Sequence, residues 1–116
     1  MTADELHKLV RDWPREAWPE AVEYNDKTVV GSWRTHRGSF ILIAHAVLLF
    51  EASGARWLER ETMAPVSIRY NPTDDYTLVI MSCDDGGVHV GRKWNAPTRI
   101  VAIDAAVRAV SKETQE

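Results

Sequence analysis

The sequence predicts an α+β fold in which an antiparallel sheet of about four strands packs with a central apolar helix, and helices form both chain ends. Three observations support this prediction. In residues 40–50 every residue except His45 is apolar. Residues 66–94 contain alternating strand patterns around a hairpin turn, and both chain ends have helical periodicity. A length of 116 residues predicts a single globular domain over residues 1–116.

The first helix is predicted to span about residues 2–13. Thr2 and Glu5 have the spacing of a capping box, in which each side chain accepts from the other residue's backbone amide. Pro14 ends this helix, because the residue before a proline avoids the helical region. The last helix is expected to begin near Pro97, since proline suits the first turn of a helix. Its buried stripe is predicted to contain Ile100, Ile103, Val107 and Val110.

The central helix is predicted to start after Ser39 as N-cap and to end at Gly54. An apolar run of this kind predicts a helix that is covered by protein on every side. We therefore expect His45 to be buried within the core. The run is too short to cross a bilayer, which needs about 20 residues. If the remaining elements leave one side uncovered, a homodimer through this helix is the alternative.

The strands are recognised by alternation and by turn residues. A short strand is predicted over residues 27–33, a weak one within 55–62, a half-exposed one over 66–70 and a central one over 76–83. Asp85-Gly86 predicts a two-residue hairpin loop of type I′. The returning strand should place four side chains on one face: Val88, Val90, Arg92 and Trp94.

Composition limits the classes of partner and the compartment. The net charge of −3 and the sequence pI of about 5.8 argue against nucleic acid and anionic membranes. A single cysteine excludes an internal disulfide and a cysteine-rich zinc site. Together with the lack of a signal-peptide pattern, it predicts a cytoplasmic protein. No cofactor is expected.

The segment before the central helix is the first candidate site. Arginines, hydroxyls and a glycine at the start of a helix could bind an anion, because free backbone amides and the helix dipole favour negative charge there. The segment lacks the lysine and the spacing of a phosphate-binding P-loop. An exposed basic loop is the simpler interpretation. The candidate residues are Arg34, Thr35, His36, Arg37, Gly38 and Ser39.

Five tryptophans are the most unusual compositional feature. Trp18 and Trp33 lie in predicted irregular segments near basic residues, where a role in the core is less evident. Tryptophan and arginine are enriched among residues that dominate binding energy at interfaces. Trp18 and Trp33 are therefore candidate partner-binding residues, and packing around the core is the alternative.

Catalytic and metal sites have weaker support. The hairpin register predicts Ser82, Asp84 and His89 on one face, with Cys83 on the other. That set contains the residue types of a hydrolase triad, but a solvated strand end contains them too. The histidines are scattered, so no metal site is predicted. The acidic pairs Asp74-Asp75 and Asp84-Asp85 are explained by turn formation.

The sequence thus favours a small non-catalytic protein–protein interaction module, of the inhibitor, immunity or adaptor type, with a protein partner. The first alternative is an anion-, phosphate- or nucleotide-binding domain that uses residues 34–39. The second is a small hydrolase that uses Ser82, Asp84 and His89.

Overall fold

A computed structural model describes residues 1–27 and 30–115 and has an α+β fold. Over these residues it contains three α-helices and two antiparallel sheets of three strands each. The predicted fold class is confirmed, but the single sheet of about four strands is wrong. The helices are α1 (Ala3–Val10), α2 (Ile43–Thr62) and α3 (Arg99–Gln115), and the strands are β1 (Val22–Asn25), β2 (Ser32–Thr35), β3 (Phe40–Ile41), β4 (Val66–Asn71), β5 (Asp75–Asp84) and β6 (Gly87–Ala96).

Helix α1 begins with the predicted capping box. The Glu5 amide donates to Thr2 Oγ1 and the Thr2 amide donates to Glu5 Oε1, both at 3.1 Å. The helix ends at Val10, earlier than the predicted residue 13, and a single 3-10 turn at Arg15–Ala17 follows. The chain then enters β1, a strand that the sequence pattern did not predict.

The first sheet has the order β1-β2-β3. Phe40 and Ile41 pair with Arg34 and Trp33 of β2, so these two residues form a strand and not the start of the helix. The predicted N-cap, Ser39, is therefore wrong. Leu42 occupies the N-cap position of α2, without a side-chain cap.

Helix α2 is longer than predicted because Gly54 does not end it. Gly54 is buried in the middle of the helix. A β-carbon at this position would lie 2.7 Å from Ile103 Cγ2 and 2.9 Å from Trp13 Cζ3. The glycine thus allows close packing of α2, and the predicted weak strand within 55–62 is the second half of the helix. Met63, with a φ of 54°, is the left-handed C-cap.

The prediction that the apolar run is buried on every side is also wrong. Ala46 and Phe50 are fully buried, whereas Leu48 keeps 63% of its surface exposed. His45 is exposed as well. The expected burial of His45 is therefore wrong. Over the described residues, no helix is both long and apolar enough to span a membrane.

The second sheet has the order β4-β5-β6, and α3 packs on one of its faces. Leu78 and Ile80 of β5 point toward this helix and are at most 4% exposed. The predicted hairpin register is confirmed, with Ser82 opposite His89 and Cys83 opposite Val88. The type I′ turn is wrong. In the described chain, positive φ occurs at the following residue, Gly87, and neither Asp85 nor Gly86 has it.

A β-bulge interrupts the pairing of β5 with β6. Ile80 pairs with Arg92 and Met81 pairs with Val90, so Gly91 is the extra residue. A β-carbon on Gly91 would lie 3.0 Å from the Ser82 β-carbon and 3.2 Å from the Ile80 carbonyl oxygen. Because the bulge shifts the alternation of side chains by one residue, the predicted common face of β6 is wrong. Arg92 and Trp94 lie on the helix-covered face, and Val88 and Val90 lie on the other.

Aromatic rings fill the core between the first sheet and α2. This aromatic cluster consists of Trp13, Trp18, Tyr24, Trp33 and Phe50. Phe50 lies at its centre, with ring centroids 5.0 Å from Trp18 and from Trp33 and 5.9 Å from Trp13. Edge-to-face and tilted pairs of this kind add stability beyond the burial of apolar area.

A buried polar network joins the aromatic cluster to α3. The Trp13 indole N–H donates to Asp104 Oδ1 at 2.7 Å, and Arg108 Nε donates to the same oxygen at 2.9 Å. Arg108 also donates to the Leu9 carbonyl at 2.9 Å. Asp104 thereby fixes α3 against the chain that leaves α1.

Candidate functional site

Residues 34–39 comprise the end of β2 and the turn that joins it to β3. The Gly38 amide donates to the Thr35 carbonyl at 2.9 Å, and the Ser39 amide donates to Thr35 Oγ1 at 3.1 Å. Gly38 has a φ of +86°, which glycine adopts without strain. Arg34 donates from Nη1 to the Gly38 carbonyl at 3.0 Å. These polar groups therefore hold the hairpin turn together.

The charges beside this turn are balanced. His36 Nδ1 lies 3.0 Å from Glu23 Oε1. A cavity of about 250 Å³ next to it is lined by Arg34, His36 and Lys27, but also by Glu23 and Asp26. The helix begins after Leu42, on the far side of β3 in sequence. The anion-binding alternative thus loses its main premise, a basic loop at a helix N-terminus, although Arg37 itself is exposed.

The two candidate tryptophans have different environments. Trp33 is 1% exposed and belongs to the core, where its indole N–H donates to the Ala3 carbonyl at 3.3 Å. Trp18 is half-buried, and its indole N–H donates to the Val10 carbonyl at 3.0 Å. Trp18, Trp33 and the 34–39 segment therefore do not share one exposed surface, because Trp33 is in the core and Trp18 does not line the cavity beside the 34–39 turn.

Trp18 lines a groove of about 580 Å³ between the 3-10 turn and α2. Arg15 stacks over the Trp18 ring, 4.5 Å from its centroid. Arg56 and Arg60 of α2 line the opposite wall, together with Leu49 and Ala52. Three guanidinium groups around an indole form a composition that is typical of binding surfaces.

Three exposed large apolar side chains lie in the first turns of α2 and just before it. Phe40, Leu42 and Leu48 are 61%, 68% and 63% exposed. Leu42, His45 and Leu48 are three residues apart, a spacing that places them on one face of a helix. Phe40 and Leu42 also border a cavity of about 420 Å³. We call Phe40, Leu42, His45, Leu48 and Ala52 the α2 outer surface.

The α2 outer surface was not identified from the sequence. Its signal was present in the i, i+3 spacing of Leu42, His45 and Leu48. However, a run that is apolar on every side does not indicate which side the rest of the chain covers. Arg56 and Arg60 were missed because the helix was predicted to end at Gly54.

The triad candidates lie on one face, as predicted, but Ser82 does not share a cavity with the other two. His89 Nε2 is 3.7 Å from Asp84 Oδ2, and both side chains are at least half exposed. Asp84 Oδ1 accepts from the Gly86 amide at 2.8 Å, which is a turn contact. Ser82 lines a cavity of about 400 Å³ with Arg92 and Glu113, and neither His89 nor Asp84 lines it. The predicted partners of Ser82 therefore do not line the cavity that Ser82 lines.

Titratable clusters are few in the described chain. Within residues 1–27 and 30–115, no three histidine, cysteine or acidic side chains are grouped closely enough to hold a metal ion. Cys83 is exposed.

His7 stacks on Tyr24 with ring centroids 3.9 Å apart. Burial lowers the pKa of His7 below 6.5, and the nearby Arg11 contributes in the same direction.

Comparisons with protein-family models, with curated proteins and with solved structures gave no match for this chain.

Proposed function

We propose that this protein is a small non-catalytic protein–protein interaction module that binds its partner across the α2 outer surface. The observation that carries the proposal is the exposure of Phe40, Leu42 and Leu48, each more than 60% accessible. Large apolar patches on a protein surface are rare unless they bind another molecule.

The energetic potential of this surface is considerable. Complete burial of a leucine or phenylalanine side chain stabilises by about 1.5–3 kcal/mol. Phe40, Leu42 and Leu48 are mostly accessible, so a partner that covers them would gain most of that energy from each. The regular spacing along α2 suits a partner that presents an apolar groove or a second helix.

The groove beside Trp18 supports the same proposal. Arg15, Arg56 and Arg60 surround it, and Ala52 belongs both to its wall and to the α2 outer surface. Arginine and tryptophan at the border of an apolar patch form charge-assisted and stacking contacts with a partner. In this proposal Trp18 contacts the partner, as the sequence predicted. Trp33 does not contact it, because Trp33 is buried in the core.

Affinity capture from the native cells, followed by mass spectrometry, tests this function. The baits are the wild type, a Leu42→Gln/Leu48→Gln variant, and a control with Glu59→Gln, which lies on an exposed part of α2. We expect at least one protein that binds the wild type and the control and is depleted at least tenfold by the double variant. Purified partner and bait must reproduce the difference by calorimetry. If no captured protein depends on Leu42 and Leu48, the proposal is wrong.

A second copy of the chain is the alternative occupant. Sedimentation equilibrium over a hundredfold range of protein concentration distinguishes the two cases. A dimer that disappears in the Leu42→Gln/Leu48→Gln variant would replace the heterologous partner by a homodimer. A monomer at all concentrations leaves the surface free for another protein.

A further inference from the structure

We propose a second docking surface, on the face of the β4-β5-β6 sheet opposite α3, that binds an acidic amphipathic helix of a partner protein. It is separate from the α2 outer surface and goes beyond the function proposed above. The outer sheet surface, as we call it, consists of Arg69, Val79, Met81, Cys83, Val88, Val90 and Lys93.

The strand alternation defines this surface. Leu78 and Ile80 are buried against the helices, so the residues between and after them in β5 point to the other side. Val79 and Met81 remain partly exposed and do not belong to the packed core. A strand whose two faces are both apolar is typical of a sheet that is covered on both sides. Here the described helices contact only one side.

The bulge at Gly91 enlarges the apolar part of the surface. Without it, Val88 and Val90 would follow the alternation of Arg92 and Trp94 and would face the helices. With it, Val90 lies opposite Met81 and Val88 lies opposite Cys83, on the outer side. Val88 and Val90 are 67% and 53% exposed. β-Bulges commonly redirect a side chain at a functional position.

The dimensions of the apolar region fit a short helix. From Val79 to Cys83 the strand rises by about 13 Å. About 2.5 turns of an α-helix have the same length. Two adjacent strands, β5 and β6, supply the width, so the apolar stripe of one helix can cover the patch.

The placement of two cations beside the apolar region favours an acidic partner. Arg69 pairs with Thr77, and Lys93 pairs with Val79, which places both cations on the outer side. Asp75 lies on the same side at the opposite end of β5 from the valines, and Asp85 lies in the turn that joins β5 to β6 at the valine end. Arg69 of β4 and Lys93 of β6 thus flank the middle of β5 from its two neighbouring strands, whereas these carboxylates lie at the ends of β5. Carboxylates on the helix edges would pair with Arg69 and Lys93.

Selection from a displayed library of amphipathic helices tests the proposal. The library is panned on the wild-type protein and counter-selected on a Val88→Thr/Val90→Thr variant. Threonine keeps the β-branched shape and strand propensity of valine, and the melting temperature shows that the variant folds. We expect enriched helices with one apolar stripe flanked by Glu or Asp. If no helix depending on the valines is enriched, or if the enriched helices lack acidic flanks, the proposal is overturned.

Solution binding of one enriched peptide then checks the chemistry. We expect at least tenfold weaker binding for Val88→Thr/Val90→Thr and for Arg69→Glu/Lys93→Glu, measured by fluorescence anisotropy. His89→Thr is the matched control, because His89 lies between the valines but on the other face. Its affinity should equal that of the wild type. Equal loss with His89→Thr, or unchanged affinity after charge reversal, would contradict the assigned surface.

Cys83 provides an independent readout, since it is the only cysteine of the chain and lies within the outer sheet surface. A saturating concentration of the enriched peptide should slow the reaction of Cys83 with an aromatic disulfide reagent several-fold. An unchanged rate would place the peptide elsewhere. Self-association that depends on Val88 and Val90 would make a second copy the occupant, and would also overturn the proposal.

Discussion

The aromatic cluster and the outer sheet surface use large apolar side chains for opposite purposes. In the cluster, Trp33 is 1% exposed and Phe50 is fully buried. On the outer sheet surface, Val88 and Val90 are more than half exposed. Trp33, whose residue type suggested recognition, is thus part of the core, whereas two valines remain accessible to solvent. Position within the fold, and not residue type, decides which apolar side chain can meet a partner.

The sharpest contrast between these regions should come from Trp33→Ala. Removing a buried indole at the centre of the cluster leaves a large cavity, and such truncations cost about 3–5 kcal/mol. Urea unfolding measures the change in the free energy of unfolding. A loss below about 1 kcal/mol would show that the cluster is not the structural core described above.

Asp104→Ala tests how the cluster is tied to α3. The change removes the acceptor of the Trp13 indole and of Arg108, and hydrogen bonds to charged groups contribute about 1.5–3 kcal/mol. We expect a loss of about 2–3 kcal/mol in urea unfolding. A double-mutant cycle with Trp13→Phe isolates the pair. Additive losses would mean that the two side chains are not coupled.

Gly54→Ala distinguishes a packing glycine from a helix-ending one. At an ordinary helical position this change would stabilise by up to about 1 kcal/mol. Here the new methyl group would overlap Ile103 and Trp13, and overpacking costs about 1–3 kcal/mol. We expect net destabilisation in thermal unfolding. The exposed control Ala52→Gly should lose about 1 kcal/mol, and a stabilised Gly54→Ala protein would contradict the close approach.

A smaller effect is expected from the titration of His7, which stacks at the border of the aromatic cluster. Its pKa is lowered from 6.5, first by burial and then by Arg11, while Asp26 and Asp4 oppose the shift. The unfolded chain therefore binds the proton at higher pH than the folded chain. The stability contributed by neutral His7 is complete above about pH 6.5 and is lost as the pH falls toward the folded pKa.

The free energy of unfolding of the wild type and of His7→Gln, compared at pH 8 and pH 5, measures this effect. We expect a smaller loss of stability on acidification in the variant. Equal losses in both proteins would show that His7 does not contribute.

The smallest effect on stability should come from Val88→Thr/Val90→Thr. These side chains contact solvent on the outer sheet surface, and substitutions of this kind change stability by at most about 0.5 kcal/mol each. Chemical unfolding measures it. A much larger loss would show that the valines belong to the core, and the contrast between the two regions would disappear.

Two predictions from local signals were correct, whereas predictions that depended on long-range packing were not. The Thr2–Glu5 capping box and the register of the β5–β6 hairpin depend on residues a few positions apart, and both are confirmed. Gly54 was wrongly predicted to end the helix. A glycine is required there because Trp13 and Ile103, which are remote in sequence, approach the backbone closely.

The candidate site was predictable only in part, for the same reason. The proximity of Trp18 to an arginine follows from its neighbours in the chain, since Arg15 is three residues away. The burial of Trp33 depends on Phe50, Tyr24 and Trp18 meeting around it. The exposure of Val88 and Val90 depends on the β-bulge. Gly91 permits this bulge because a β-carbon there would lie too close to Ser82.

The bulge at Gly91 also affects how molecules of this protein behave at high concentration. Strand β6 lies at the edge of its sheet, and a long, straight, apolar edge invites further strands to add one after another, as in fibrils. The extra residue breaks the ladder of hydrogen-bonding groups in the middle of that edge and twists it. The protein can thereby display two valines to solvent while resisting polymerisation along the same strand.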